Sequence, residues 1–268
     1  MPVDVAAEVT ANRSLSADYN VLELRAPAIA ARARPGQFVM VRIASTSDPL
    51  LRRPFSIFEV LRGGDGAPAG FSLLNKRIGP STALIYAAQP GQRVACLGPL
   101  GTEWRPVDPP LEGCMVAGGV GLAAFATLAE ALVARAVRTT LFYGARVGGE
   151  LFHLDFFRRL GVELVLTTED GSVGERGRVT SPLERHLASR GRQSVVYACG
   201  PEAMMAATTQ IAMRVGASCL VSLERVMGCG LGGCYSCVVP VRAGARGFHH
   251  VRSCLAGPVM AGEQIVWD

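Results

Sequence analysis

At 268 residues the chain exceeds the usual size of one domain, so two domains with a small appendage are expected, each able to bury a core. Apolar residues make up 49% of it, yet no run of about eighteen apolar residues is free of charge, which excludes a membrane-spanning helix. The formal charge of +5 rests on scattered arginines, with Lys76 the one lysine, and an unclustered basic surplus argues against nucleic acid as a partner.

From Val5 to about Gly101, short β-rich runs alternate with Pro and Gly turns: Val21 to Leu24, Gln37 to Ile43, Phe55 to Val60, Phe71 to Asn75 and Arg93 to Leu97. Helical patterning is confined to Ser81 to Ala88, so residues 1–105 are expected to form an antiparallel β-barrel. From Cys114 the pattern becomes strand, helix, strand. Runs at Met115, Thr139, Val162 and Ser194 alternate with helical segments at Leu122 to Val137, Leu154 to Leu160, Pro182 to Ser189 and Glu202 to Val215. Ser181-Pro182 reads as an N-cap with proline at the first helical position. This alternation predicts an α/β domain with a parallel sheet over residues 106–217, hinged at Asp108 to Gly113. A small module, residues 218–268, completes a multidomain α+β chain.

That module holds Cys229, Cys234, Cys237 and Cys254, spaced C-x4-C-x2-C-x16-C in a glycine-rich run. Three thiolates from one short loop can converge on two irons, and this is the ligand spacing of a plant-type 2Fe-2S cluster. Glycines such as Gly230 and Gly232 let the backbone wrap closely. A zinc site usually uses paired C-x2-C or C-x4-C groups, and stays as the alternative. Disulfides suit neither the scattered extra cysteines nor the start Met1-Pro-Val-Asp-Val, which lacks a cleavable signal and points to the cytoplasm. Of Cys96, Cys114, Cys199 and Cys219, three are expected in the core. His153, His186, His249 and His250 lack metal-site spacing and read as surface or satisfied histidines.

Within the α/β domain, Ala117-Gly-Gly-Val-Gly-Leu-Ala joins the first strand to the first helix, where free amides favour a phosphate. A tight strand-to-helix turn is the plain alternative, since the run is not a G-x-G-x-x-G fingerprint. Cys199-Gly200-Pro201 ends a later strand, and the carboxyl ends of neighbouring strands are where an open α/β sheet binds its ligand. Together the two turns favour a dinucleotide in one crevice, with Cys199 facing its reactive end.

Arg53-Pro54-Phe55-Ser56, Gly118-Gly119-Val120-Gly121 and Cys199-Gly200-Pro201 resemble the flavin and nicotinamide signatures of the ferredoxin-NADP reductase superfamily. With the cysteine module, Gly98-Pro-Leu-Gly101 and Thr168-Glu-Asp-Gly-Ser, the order resembles the electron-transfer subunits of type B, NAD-dependent dihydroorotate dehydrogenase over essentially the whole chain. The resemblance implies a flavin-binding barrel, a nicotinamide domain and a 2Fe-2S module. It implies FAD held by Arg53 at the pyrophosphate and by Pro54, Phe55 and Ser56 at the isoalloxazine. Leu74, Asn75 and Lys76 would lie along the flavin, and Ser81 and Thr82 at its phosphates. Gly118, Gly119, Gly121, Cys199, Gly200 and Pro201 would hold NAD. Electrons would come from a separate FMN-containing catalytic subunit, pass through the 2Fe-2S cluster to FAD, and reach NAD+ as a hydride, in a heterotetramer serving pyrimidine biosynthesis. The cofactors do this chemistry, and no residue of the chain is needed as a catalytic nucleophile or base.

The chain departs from the family pattern at Leu255-Ala256, where a Lys-Asp pair is common, and at Met260, commonly aromatic. The loop between Cys237 and Cys254 is slightly long and carries Arg242, Arg246, His249 and His250. Two other functions stay open: an FAD/2Fe-2S NAD(P)H:acceptor reductase subunit serving another oxidoreductase or ferredoxin, and a zinc-stabilised nucleotide-binding module. Arg146, after the second strand of the α/β domain, is the candidate contact for a 2′-phosphate if NADP replaces NAD.

Overall fold

The computed structural model describes residues 1–43, 48–244 and 247–267; Arg246 lies outside them. Seven N-terminal strands make one antiparallel sheet: β1 (Val3–Ser14), β2 (Tyr19–Arg25), β3 (Phe38–Ile43), β4 (Arg53–Ser56), β5 (Val60–Arg62), β6 (Pro68–Lys76) and β7 (Arg93–Leu100), in the order β4-β3-β7-β1-β2-β6-β5. It is a half-barrel with β4 and β5 as its edges. Hydrogen bonds from Phe58 N to Ser72 O (2.9 Å) and from Ser72 N to Glu59 O (3.0 Å) tie the β4–β5 connection back to β6.

Strand periodicity explains what the half-barrel buries. Side chains of β3 alternate between faces, so Val39, Val41 and Ile43 enter the barrel core with Val9, Leu22, Leu24, Phe71 and Val94. Phe38 and Met40 point the other way, against Leu100, Met227, Cys237 and Cys254. The cysteine module is thus seated on the strand that pairs with β4.

The second sheet contains β8 (Glu112–Gly118), β9 (Thr139–Ala145), β10 (Glu163–Thr168), β11 (Glu175–Arg176), β12 (Ser194–Cys199) and β13 (Ser218–Ser222), all parallel. The hairpin of β14 (Val238–Ala243) and β15 (Gly247–Arg252) stands apart, while β16 (Val259–Ala261) pairs antiparallel with β13. The order β11-β10-β9-β8-β12-β13-β16 reverses direction at β8, which opens a crevice at the carboxyl ends of β8 and β12. Two strands of residues 218–268 therefore extend the parallel sheet, and the cysteine module is built into it rather than hung from it.

Two helical expectations are corrected. The helix expected over Leu122 to Val137 is a 3-10 turn, Gly119–Ala124, followed by a helix Ala126–Val133, because the glycine-rich entry folds tightly before the α-helix starts. Ser181 does not cap its helix. That helix begins at Thr180 and places Pro182 inside the first turn, where a missing N–H costs no hydrogen bond.

Trp104 locks the two sheets together from the linker. Its indole is 1% exposed, stacks on Phe125 at 5.8 Å, meets Tyr197 edge-on at 5.6 Å and donates Nε1–H to Ala124 O at 2.8 Å. Its own amide donates to Pro35 O at 2.8 Å. One continuous apolar cluster then runs from Val21, Phe58 and Leu74 of the half-barrel to Leu122, Phe125 and Leu141 of the second domain.

Candidate functional site

The two turns singled out in the sequence meet at the carboxyl ends of β8 and β12. A Cβ on Gly121 would lie 2.2 Å from Cys199 O and 2.8 Å from Gly200 N, so only glycine lets these backbones approach. Gly119 adopts φ +53° and faces open space, leaving its backbone accessible. Gly118, Gly119, Gly121, Cys199, Gly200 and Pro201 thus border one crevice. Cys199 is partly exposed there, whereas Cys96, Cys114 and Cys219 are buried, as expected. Desolvation around its sulfur pushes the Cys199 thiol up to about 12, the Glu224 charge adds to this and a hydrogen bond with Ser222 opposes it. Arg146, the candidate 2′-phosphate contact, is engaged by both carboxylate oxygens of Glu150. That pairing holds the Glu150 carboxyl below its ordinary range.

At the half-barrel edge, β4 places Arg53, Pro54, Phe55 and Ser56 opposite Val41, Met40, Val39 and Phe38, each half-buried, with the outer side of the strand unpaired. Proline is suited to such an edge. Arg53 turns its guanidinium to Leu51 O (2.9 Å) and Arg52 O (3.3 Å). Leu74 is a core residue, 3% exposed. Asn75 is fully buried and donates to Asn20 Oδ1 (2.7 Å) and Thr82 O (3.1 Å). Thr82 Oγ1 accepts from Ile78 N (2.8 Å) and Gly79 N (3.0 Å), closing the turn into the helix Pro80–Tyr86. Lys76 Nζ lies 5.2 Å over the Tyr19 ring. Ser81 Oγ and Arg42 Nε are buried and lack a hydrogen-bond partner among the described residues, and both residues line one small cavity beside Leu51. Orphaned donors of this kind fit an anionic group such as the FAD diphosphate. Arg42 was not singled out from the sequence, because one arginine in an alternating strand carries no local signal.

Cys237 and Cys254, both buried, have sulfurs 3.3 Å apart, whereas Cys229 is partly buried and Cys234 exposed on the glycine-rich turn. Leu231 N donates to Cys229 Sγ at 3.3 Å, and Ser236 Oγ lies 3.1 Å from Cys234 Sγ. The Ser236 hydroxyl and amide, with Cys229, bring the Cys234 thiol down to about 6, while burial and the Cys237 sulfur push Cys254 up to about 12. Three thiols on one loop and a fourth, Cys254, from the short helix Ser253–Ala256, with the Leu231 amide aimed at the Cys229 sulfur, match the donor set of a 2Fe-2S cluster. A Cβ on Gly230 would meet Met40 Cγ at 2.5 Å, so the loop lies directly on β3.

The histidines behave as expected. His153 Nε2 lies 3.1 Å from Glu59 Oε1, and His186 Nε2 lies 2.8 Å from Glu112 Oε1. His249 and His250 are exposed on β15. Glu112, Cys114 and His186 cluster closely, but at the opposite end of the sheet from the crevice. Ser194 Oγ donates to the same Glu112 oxygen at 2.7 Å, so this is a satisfied network.

Comparison with known proteins agrees with this layout. Residues 224–266 match the iron-sulfur cluster binding domain of dihydroorotate dehydrogenase B, and residues 115–210 match the oxidoreductase NAD-binding domain. The chain is 36% identical to the dihydroorotate dehydrogenase B (NAD(+)) electron transfer subunit of Desulforamulus reducens, covering 98% of each chain. It is 34% identical to that of Geobacillus thermodenitrificans, covering 96% of each. Among solved structures, a chain of NADH-dependent reduced ferredoxin-NADP oxidoreductase superposes with TM-score 0.84 at 26% identity, covering 98% of this chain and 90% of that one. The ferredoxin NADP+ reductase of Neisseria gonorrhoeae, TM-score 0.66 at 18% identity over 80% and 92%, shares the fold. The architecture is ferredoxin-NADP reductase-like, and the zinc-module reading of the cysteines is set aside by the iron-sulfur match.

Proposed function

Since the chain belongs to the family of dihydroorotate dehydrogenase B (NAD(+)) electron transfer subunits, we propose that it carries electrons from a dihydroorotate-oxidising catalytic subunit to NAD+, a step of pyrimidine biosynthesis. A 2Fe-2S cluster exchanges single electrons and FAD exchanges one or two, so together they join a one-electron path to two-electron reduction of NAD+. Cys229 and Cys234 would hold one iron, and Cys237 and Cys254 the other. Arg53, Ser81 and Arg42 would carry the FAD diphosphate, and the unpaired edge at Pro54, Phe55 and Ser56 would border the isoalloxazine. Leu74, Asn75 and Thr82 would shape that cradle through packing and backbone, with Lys76 at its rim. Gly118, Gly119, Gly121, Cys199, Gly200 and Pro201 would receive the nicotinamide dinucleotide.

The observation that carries this reading is the seat of the cysteine loop on β3. Met40 touches the loop and pairs with Pro54 of β4, so on this reading one strand would separate the cluster from the flavin. A partner surface is supported by the apolar side chains Val226, Leu231, Tyr235 and Leu255, each more than half exposed around the cysteine loop. The partner proposed is an FMN-containing catalytic subunit, two copies of each chain forming a heterotetramer, in the cytoplasm.

Anaerobic titration tests the reading. NADH alone should bleach the FAD of the purified chain, and dihydroorotate should do so only when the catalytic subunit is present. Bleaching by NADH with none by dihydroorotate plus partner would favour the second reading, an NAD(P)H:acceptor reductase subunit for another oxidoreductase or ferredoxin. The exposed Leu255, replacing a commonly charged position, is the feature that keeps this reading open.

A further inference from the structure

His153 occupies a backbone conformation that few non-glycine residues adopt, φ 61° and ψ 19°, at the start of the helix Leu154–Arg159. Such a conformation persists only where the surroundings enforce it, and residues held this way cluster at functional sites. Here the enforcement comes from the other domain. The imidazole packs against Phe58 of the half-barrel at 4.7 Å and against Phe156 of its own domain at 5.0 Å, and its Nε2 lies 3.1 Å from Glu59 Oε1. Glu59 Oε2 accepts from Ser72 Oγ at 2.9 Å. Both bridging side chains are only about one-sixth exposed, at 15% and 17%.

The attachment points of this bridge are the segments that border the flavin position. Glu59 follows Ser56 of β4 by three residues, and its backbone is fastened to Ser72, two residues before Leu74. On the other side, the strap before His153 is fixed by Tyr143 Oη donating to Glu150 O at 3.1 Å. The next ring along, Phe152, packs on Tyr19 at 4.8 Å, the ring that Lys76 Nζ also overlies at 5.2 Å. A mostly buried charged hydrogen bond is a poor device for stability alone, since an apolar pair of similar size would serve about as well. What it adds is direction.

We propose that the His153–Glu59 bridge sets the orientation of the nicotinamide domain on the flavin half-barrel, and that both are positioning residues for hydride transfer. This rests on the reading that NAD(H) and FAD meet on this chain. The step served is passage of two electrons and a proton, as hydride, from NADH to oxidised flavin, giving NAD+ and reduced flavin, or its reverse. Its rate depends on ångström-scale placement of donor and acceptor, and a misplacement of about 1 Å can cost roughly 100-fold.

The test uses the full chain loaded with FAD and cluster, and follows anaerobic flavin bleaching over a series of NADH concentrations. His153→Ala should lower the limiting rate about tenfold while the half-saturating NADH concentration moves less than about twofold. His153→Gln, whose amide can donate to Glu59, should recover to within about threefold of the native rate. Glu59→Ala should match His153→Ala, and the double variant should lose no more than either single one, because the two act as one unit. An unchanged limiting rate in His153→Ala, additive losses, or loss of FAD from His153→Ala with native rates in His153→Gln and Glu59→Ala would overturn the proposal. Failure of NADH to bleach the native chain would instead count against the functional reading.

Discussion

The backbone of Gly121 rests against that of Cys199 so closely that a Cβ on the glycine would lie 2.2 Å from the Cys199 carbonyl oxygen. No side-chain rotation relieves that clash, because the obstructing atom is backbone. Gly121→Ala must therefore part the two turns. The expected result is a stability loss of about 2–4 kcal/mol and a raised half-saturating NADH concentration, read by denaturant unfolding and flavin bleaching. Native values for both would show that the turns can separate freely.

Trp104 combines packing and a hydrogen bond at the join between the two sheets. Trp104→Ala should cost about 3–5 kcal/mol through the cavity it leaves. Trp104→Phe keeps most of the packing but strands the Ala124 carbonyl, so a loss of about 1–3 kcal/mol is expected. Urea midpoints of the two variants measure the difference.

Cys254 is buried beside Cys237, and its replacement by serine should abolish the iron-sulfur absorption and the paramagnetic signal of the reduced cluster while FAD remains bound. Cys96→Ala should keep the cluster, since Cys96 lies in the half-barrel core. Loss of FAD together with the cluster in Cys254→Ser would mean that the module and the flavin edge fold as one unit.

Glu112 couples stability to pH. Burial alone would raise its carboxyl, but hydrogen bonds from Ser194 and His186 and the nearby Arg190 guanidinium hold it below the ordinary carboxylate range. A depressed folded value means that the unfolded chain takes up the proton first as pH falls. The contribution is therefore present above the unfolded value, about 4.3, and is lost as pH drops through the folded one. Glu112→Gln should be less stable than the native chain by about 1–3 kcal/mol near neutrality, with the gap closing below about pH 4. Thermal unfolding at several pH values checks this, and a gap that widens in acid would contradict it.

Leu231 projects from the cysteine loop with its side chain 54% exposed, while its amide serves Cys229 from the backbone. Leu231→Asp should leave cluster absorption and NADH-driven bleaching intact, yet weaken binding of the catalytic subunit by about tenfold or more. Unchanged affinity in a pull-down titration would place the partner surface elsewhere.

Local chemistry made much of the chain legible from its residues. The spacing of Cys229, Cys234 and Cys237 marked an iron-sulfur loop because ligation favours short, glycine-lubricated separations, and the Gly118 and Cys199 turns could be expected side by side because both end apolar strands. The change of period near Cys114 separated the two sheets, since alternate-residue burial and strand-helix alternation are written into neighbouring residues. Other features depended on contacts distant in sequence. His153 meets Glu59 across 94 positions, and Trp104 reaches Ala124 from the linker. Arg42 and Ser81 line one cavity only because β3 and the helix Pro80–Tyr86 converge there. Sequence by itself determined the sheet types and the cluster chemistry, both governed by interactions a few residues apart. The tertiary structure decided how the NAD-binding domain is fixed on the half-barrel and how β3 joins the cysteine loop to β4, because burial and direction in those contacts come from chain segments that only folding brings together.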